Sequence, residues 1–80
     1  MKLPRDISGN ALAKLLSQLG YEVSNQTGSH IRLTTQLEGE HHITIPAHET
    51  LRVGTLSAIL SDIAKHHKMS REELLNKLFS

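Results

Sequence analysis

The chain has no cysteine, no tryptophan and only two aromatic residues, Tyr21 and Phe79. Without cysteine there is no disulfide staple, no thiolate nucleophile and no cysteine-based zinc site, which fits a reducing compartment and leaves the hydrophobic core to hold the fold unaided. The scarcity of aromatics argues against folds that stack successive bases of single-stranded nucleic acid on aromatic platforms. Long hydrophobic runs are also missing, and the opening MKLPRDISGN carries an acid and no apolar stretch. Neither a membrane span nor a signal peptide is therefore expected, and the expected location is the cytoplasm. Charge of one sign is lacking too: nine Lys plus Arg face eight Asp plus Glu, a net of +1, which is too balanced to grip polyanions by bulk charge. Any contact with nucleic acid must be local. Eighty residues suit one small domain, residues 1–80, and exclude a multidomain enzyme or a large cofactor fold.

What the chain has in excess is histidine, six in eighty residues, the side chain whose charge changes near neutral pH. There are no internal repeats or low-complexity linkers, so the sequence reads as elements and turns. Leu12, Leu15, Leu16 and Leu19 recur at helical spacing after a capping Ser8, with Ile7 placed to staple onto Leu12 and Gly20 at the stop, which predicts a helix over 9–19. Alternation predicts strands over 21–26, 30–35 and 41–45, joined by turns at Thr27-Gly28 and at 37–40 with Gly39. Pro46 closes the third strand. A second helix begins near Gly54-Thr55 and carries Leu56, Ile59, Leu60 and Ile63. A short third one opens at Ser70 with a capping box to Glu73, a Met69 to Leu74 staple and an apolar side of Leu74, Leu75, Leu78 and Phe79 that is expected to pack on the domain. The order α, β, β, β, α and a terminal α predicts an α+β fold with a three-stranded antiparallel sheet and both main helices on one face.

Strand parity then places the chemistry. With Val23, Ile31, Leu33, Ile43 and Ile45 facing the helices, period-two alternation puts Glu22, Ser24, Gln26, His30, Arg32, Thr34, His42 and Thr44 on the open face. A histidine with a pKa near neutral can act as general base or acid, and an arginine can hold a phosphate. His30 and Arg32, two apart on one strand, could both address one phosphodiester. His42 shares their face and is a candidate acid or phosphate ligand, against the plainer reading of a surface strand residue. His48 follows the strand that partners His30 and could touch RNA or only hold its loop. His41 points to the helix side or into the turn and is given no role. His66-His67, between Lys65 and Lys68, reads as a small basic cluster complementing a helix C-terminal dipole. Adjacent His41 and His42 face opposite sides of a strand, so a zinc site with His48 is not expected, and no metal or other cofactor is. A Walker loop, a nucleophile elbow and a pair of catalytic carboxylates are all absent from the sequence.

The segment Gly28-Ser29-His30-Ile31-Arg32-Leu33 carries a family resemblance. Taken with Lys2-Leu3-Pro4-Arg5, Leu19-Gly20-Tyr21, His42-Ile43-Thr44-Ile45-Pro46 followed by His48, and Gly54-Thr55-Leu56 leading to Ile59-Leu60, the chain resembles the HicA toxin family, also called YcfA-like, over residues 2 to about 65. Gly-Ser-His alone is a short match; the order and spacing of the pieces make it specific. The resemblance implies a fold similar to the double-stranded-RNA-binding domain and an mRNA interferase of a type II toxin-antitoxin system. Its catalytic histidine would be His30; beside it, Arg32, His42 and His48 by their positions, and Gly28 and Ser29 by shaping the approach, make up the expected RNA-contacting set. It also implies an mRNA substrate and a HicB-type antitoxin as protein partner, without membrane or small-molecule cofactor. The alternatives are a non-catalytic RNA-binding module of the same shape, an inactive toxin homologue, or a protein whose open sheet face only docks a partner.

Overall fold

A computed structural model describes residues 6–79. The Lys2-Leu3-Pro4-Arg5 part of the resemblance lies outside those residues. The elements run α1 (Gly9–Leu16), a 3-10 turn (Ser17–Leu19), β1 (Glu22–Gln26), β2 (His30–Thr35), β3 (His41–Pro46), α2 (Val53–His66) and α3 (Arg71–Phe79). The three strands form one antiparallel sheet in the order β1-β2-β3. Leu12 and Leu16 of α1 and Leu56, Leu60 and Ile63 of α2 are buried with Ile31, Leu33, Ile43 and Ile45, so one core lies between the helices and one side of the sheet. This is the α+β arrangement that the periodicities predict.

Local chemistry explains the boundaries. Ser8 Oγ accepts the Ala11 N–H at 3.0 Å, taking one of the donors left free in the first turn of α1. The predicted helix over 9–19 tightens into a 3-10 turn after Leu16 and ends at Gly20, whose φ of 79° is the left-handed conformation that glycine adopts without strain. At α3 the capping box is reciprocal: Glu73 N–H donates to Ser70 Oγ and Ser70 N–H to the Glu73 carboxylate, both at 3.0 Å. Those hydrogen bonds, the backbone one first, hold the Glu73 carboxyl below its ordinary range. Leu74, Leu75 and Leu78 are buried in the common core, so the terminal helix packs on the domain. Pro46 is tolerated in β3 because that strand lies at the sheet edge.

Parity holds along β2 and β3 and fails in β1. Val23 pairs with Leu33, yet the next aligned pair is Asn25 with Arg32, then Gln26 with Ile31, so a β-bulge at Ser24 consumes an extra residue. After it, Gln26 shares the register of Ile31 and lines the helix side, not the open face that alternation predicts, and Asn25 takes its place beside Arg32. Val23 stays 53% exposed where burial is predicted. It lines an open groove between α1 and β1, while the side chain that fills the core at this end is Tyr21, 1% exposed, just before the strand.

The start of α1 sits directly on the exit of β3. Gly9 N–H donates to the His48 carbonyl at 2.9 Å, and a Cβ on Gly9 would overlap the Pro46 carbonyl oxygen and press on Ala47 Cα at 3.3 Å. All of those atoms are backbone and cannot swing aside. Gly9→Ala is therefore expected to cost about 3 kcal/mol, seen as a thermal midpoint lower by on the order of 15 °C. A midpoint within a few degrees of the parent would mean that the helix start can slide on β3.

Candidate nucleic-acid interface

The open side of the sheet is built by the residues that alternate with the core. His30, Arg32, Thr44 and His42 are exposed there, Thr34 is half-buried, and no described helix covers them. His30 opens β2 immediately after the turn from β1, and its backbone is pinned on both polar atoms. Its N–H donates to Thr27 Oγ1 at 3.2 Å, and its carbonyl accepts the Thr27 N–H at 2.9 Å. Sequence reasoning missed Thr27; the available signal is a threonine opening a tight turn, where its hydroxyl bonds backbone groups nearby. Ser29 carries two contacts. Its carbonyl accepts the Ala47 N–H at 2.9 Å, tying the turn to the end of β3, and its Oγ lies 3.1 Å from His30 Nδ1. With Nδ1 occupied, Nε2 is the ring nitrogen left to meet a ligand.

Arg32 stands two residues along the same face, in register with Thr44 on one side and Asn25 on the other. Gly28 sits in the turn with nothing near the position of a Cβ, so neither packing nor a left-handed φ calls for glycine there. His48 lies in the loop after β3 at the His30 end, its carbonyl bound to Gly9 N–H and its side chain exposed. The structure thus gathers Gly28, Ser29, His30 and Arg32 at one end of the open face, with the loop that carries His48 leaving β3 at the same end.

His42 is not part of that group. It pairs across from Thr34, four residues from His30, which is about 13 Å of strand. There its Nδ1 meets Thr34 Oγ1 at 2.8 Å and its Nε2 meets the Glu40 carboxylate at 3.0 Å. The His42 hydrogen bond, with help from Gln36, holds the Glu40 carboxyl below its ordinary range. A general acid at His42 for chemistry at His30 is therefore out of reach, although both point from the same face. The pair Glu40-His42 also escaped the sequence reading, because it depends on how the β2-β3 turn folds back.

The predicted basic cluster at the end of α2 is different in kind. His67 is buried, 9% exposed, with Nε2 3.1 Å from the Tyr21 hydroxyl. His66 Nε2 lies 3.0 Å from the carbonyl oxygens of both Leu37 and Gly39. These rings serve the interior and not the dipole of α2 alone. His41 faces the helix side, as its parity demands, and joins them. Among the described residues no three histidine, aspartate or glutamate side chains are placed to hold a metal ion. No described helix is long and apolar enough to cross a membrane. The groove of about 660 Å³ between α1 and β1, lined by Ala13, Lys14, Val23, Ile31 and Leu33 among others, does not include His30. His30, Arg32 and His48 line neither that groove nor the smaller one bordered by Glu22, Ser24 and Thr34.

A family model described as the HicA toxin of bacterial toxin-antitoxin matches residues 9–65, most of the chain. The chain belongs to the HicA toxin family. The HicA match takes in α1, the whole sheet and nearly all of α2, and so contains the His30 end of the open face together with its supporting turn. Membership makes the protein a toxin of a toxin-antitoxin system, in a family generally associated with RNA cleavage, and implies an antitoxin partner. Comparison with curated proteins and with solved structures finds no match. The third helix, α3, lies beyond the HicA match and packs against the common core through Leu74, Leu75 and Leu78.

Proposed function

We propose that this HicA-family toxin is a metal-independent endoribonuclease that cleaves mRNA through His30 and is silenced by a HicB-type antitoxin covering the open sheet face. The observation that carries the reading is the pairing of an oriented imidazole with a guanidinium on one uncovered strand. His30 Nδ1 is engaged by Ser29 Oγ, and Arg32 projects from the same face two residues away.

The chemistry follows from those positions. When His30 Nδ1–H donates to Ser29 Oγ, the lone pair on Nε2 is free to take the proton of a ribose 2′-OH. The 2′ oxygen then forms its bond to the adjacent phosphorus, the bond from phosphorus to the 5′ oxygen breaks, and the leaving 5′ oxygen takes a proton from water while His30 returns its own to solvent. The products are a 2′,3′-cyclic phosphate and a 5′-hydroxyl. Arg32 binds the non-bridging oxygens, on which negative charge accumulates during the transfer, with the fork geometry suited to phosphate. Gly28 and His48 flank the approach, and His42 is far enough along the strand to touch the RNA away from the scissile bond.

The test is incubation of purified protein with RNA in EDTA. Cleavage is expected to proceed, and Arg32→Ala is expected to raise the RNA concentration needed for half-maximal rate by roughly tenfold, the loss of one charge-assisted contact. The thermal midpoint of that variant should stay within about 2 °C of the parent, since the side chain is exposed. A folded protein that binds RNA and never cuts it is instead an RNA-binding module. Unaltered kinetics in Arg32→Ala would remove Arg32 from the site.

A further inference from the structure

On the far side of the sheet from His30, three histidines and the chain's one tyrosine meet. They come from three places: Tyr21 before β1, His41 at the start of β3, and His66 and His67 at the end of α2, with the carbonyls of the β2-β3 turn closing the group. The His41 and His66 rings stack at 4.3 Å and 11°, and His67 stands edge-on to His66 at 4.8 Å. Nothing in the RNA reading uses these residues.

Counting protons shows what the group can hold. Backbone carbonyls only accept, so His66 Nε2, 3.0 Å from two of them, carries a proton. His41 Nε2 faces the Asp62 carboxylate at 3.4 Å and carries one as well. In the neutral ring that leaves His41 Nδ1 to accept the Tyr21 hydroxyl proton at 2.7 Å, and the Tyr21 oxygen to accept from His67 Nε2–H at 3.1 Å. The chain of donors runs His67, Tyr21, His41, Asp62, with every imidazole neutral and every bond made. One further proton at His41 can be absorbed by reversal, once His67 has shifted its own proton from Nε2 to Nδ1 by exchange with water: His41 Nδ1–H then donates to Tyr21, Tyr21 donates to the freed His67 Nε2, and Asp62 balances the charge. A second cannot. With His41 and His67 both doubly protonated, the Tyr21 oxygen faces two N–H donors, its own proton has lost its acceptor, and the two cations on either side of Tyr21 repel.

We propose that this cluster is an acid-sensitive clamp that joins the end of α2 to the β2-β3 turn, closed while its histidines are neutral and loosened once a second proton enters the Tyr21-centred chain. The ionisable groups facing it are Tyr21, His41, His66, Asp62 and Glu38. Burial, then His66 and His41, hold the His67 imidazole below its ordinary range against an opposing pull from Glu38. Burial, then Asp62, push the Tyr21 phenol upward, so its hydroxyl keeps its proton throughout. The sign follows. A histidine held low binds fewer protons folded than unfolded, so the stabilisation is complete above about pH 6.5 and is lost as pH falls through the lowered folded value. The Glu40 and Glu73 carboxyls act in a more acidic range, because their folded values lie below the usual carboxylate figure.

The experiment is a series of thermal melts of the whole chain from about pH 7.5 to pH 5, with ring-nitrogen NMR of the histidines at the upper end. The parent midpoint is expected to fall by on the order of 5 °C across that interval, and His67→Gln, which still offers an N–H to Tyr21, to show less than half of that fall. At the upper pH His41, His66 and His67 are expected as Nε2–H tautomers. A parent midpoint flat over the interval, an equal fall in His67→Gln, or a neutral His41 protonated on Nδ1 would overturn the clamp. Should His67→Gln fail to fold, the parent melts and the tautomers decide the matter. RNA cleavage does not enter any readout, so the clamp and the ribonuclease reading stand or fall separately.

Discussion

Replacing His30 by alanine is expected to lower RNA cleavage by at least about 10²-fold and to abolish growth inhibition, with the fold unchanged. The side chain is exposed on the open face and takes no part in the core, so its removal forfeits no buried area. What holds the turn is backbone: His30 N–H to Thr27 Oγ1, His30 carbonyl to Thr27 N–H, and Ser29 carbonyl to Ala47 N–H, none of which the substitution touches. A circular dichroism spectrum and thermal midpoint matching the parent would establish that the variant is folded. Cleavage at the parental rate in that folded variant would end the proposal for His30. A companion Ser29→Ala, leaving the imidazole in place and removing the Oγ that meets Nδ1, should reduce the rate by a smaller factor, about three- to tenfold, as the loss of one exposed hydrogen bond predicts.

The second large effect concerns the substrate. If the 2′ oxygen is the nucleophile, a ribose carrying a 2′-O-methyl or 2′-deoxy group at the cleavage position cannot react, and cleavage there should disappear while RNA binding persists. The expected products from unmodified RNA end in a 2′,3′-cyclic phosphate and a 5′-hydroxyl, readable by mass spectrometry. A requirement for Mg²⁺ together with 5′-phosphate products would instead assign the attack to an activated water and would displace His30 from the role of base. Because the candidate groups stand on an open face, an antitoxin that silences them has to cover that face. Hydrogen exchange or solvent labelling of His30 in the complex should therefore be strongly reduced, whereas a bound antitoxin that leaves His30 accessible would point to inhibition by another route.

How far the sequence could be read depended on whether a residue answers to a local rule. The cap at Ser8, the stop at Gly20 and the reciprocal box at Ser70 and Glu73 each depend on neighbours within four positions, and each forms as predicted. Along β2 and β3 alternation settles which side chains meet the helices, since a buried face allows no slip of register. The same rule breaks in β1, whose residues all stay exposed so that no buried face holds its register, and the bulge at Ser24 turns Gln26 to the helix side. Alternation assumes one residue for one partner, and nothing in the composition of Glu22 to Gln26 announces the extra one.

By itself, then, the sequence determined the order of elements, the buried stripe of each helix, the face on which His30 and Arg32 emerge and, through the Gly28 to Leu33 segment, the family. Those properties are periodic or local, and the hydrophobic effect enforces them wherever one side of an element must leave water. Tertiary structure alone decided which histidines work together. It separated His42 from His30 by the length of a strand and gave it to Glu40. It carried His67 across 46 residues of chain to Tyr21, and His66 to the carbonyls of Leu37 and Gly39. A histidine is equally at home in water, in a buried hydrogen-bonded chain or beside a phosphate, so its own identity does not choose among them. The choice lies with the partners that folding brings within about 3 Å, and those partners are distant in sequence or face one another only after a turn has closed.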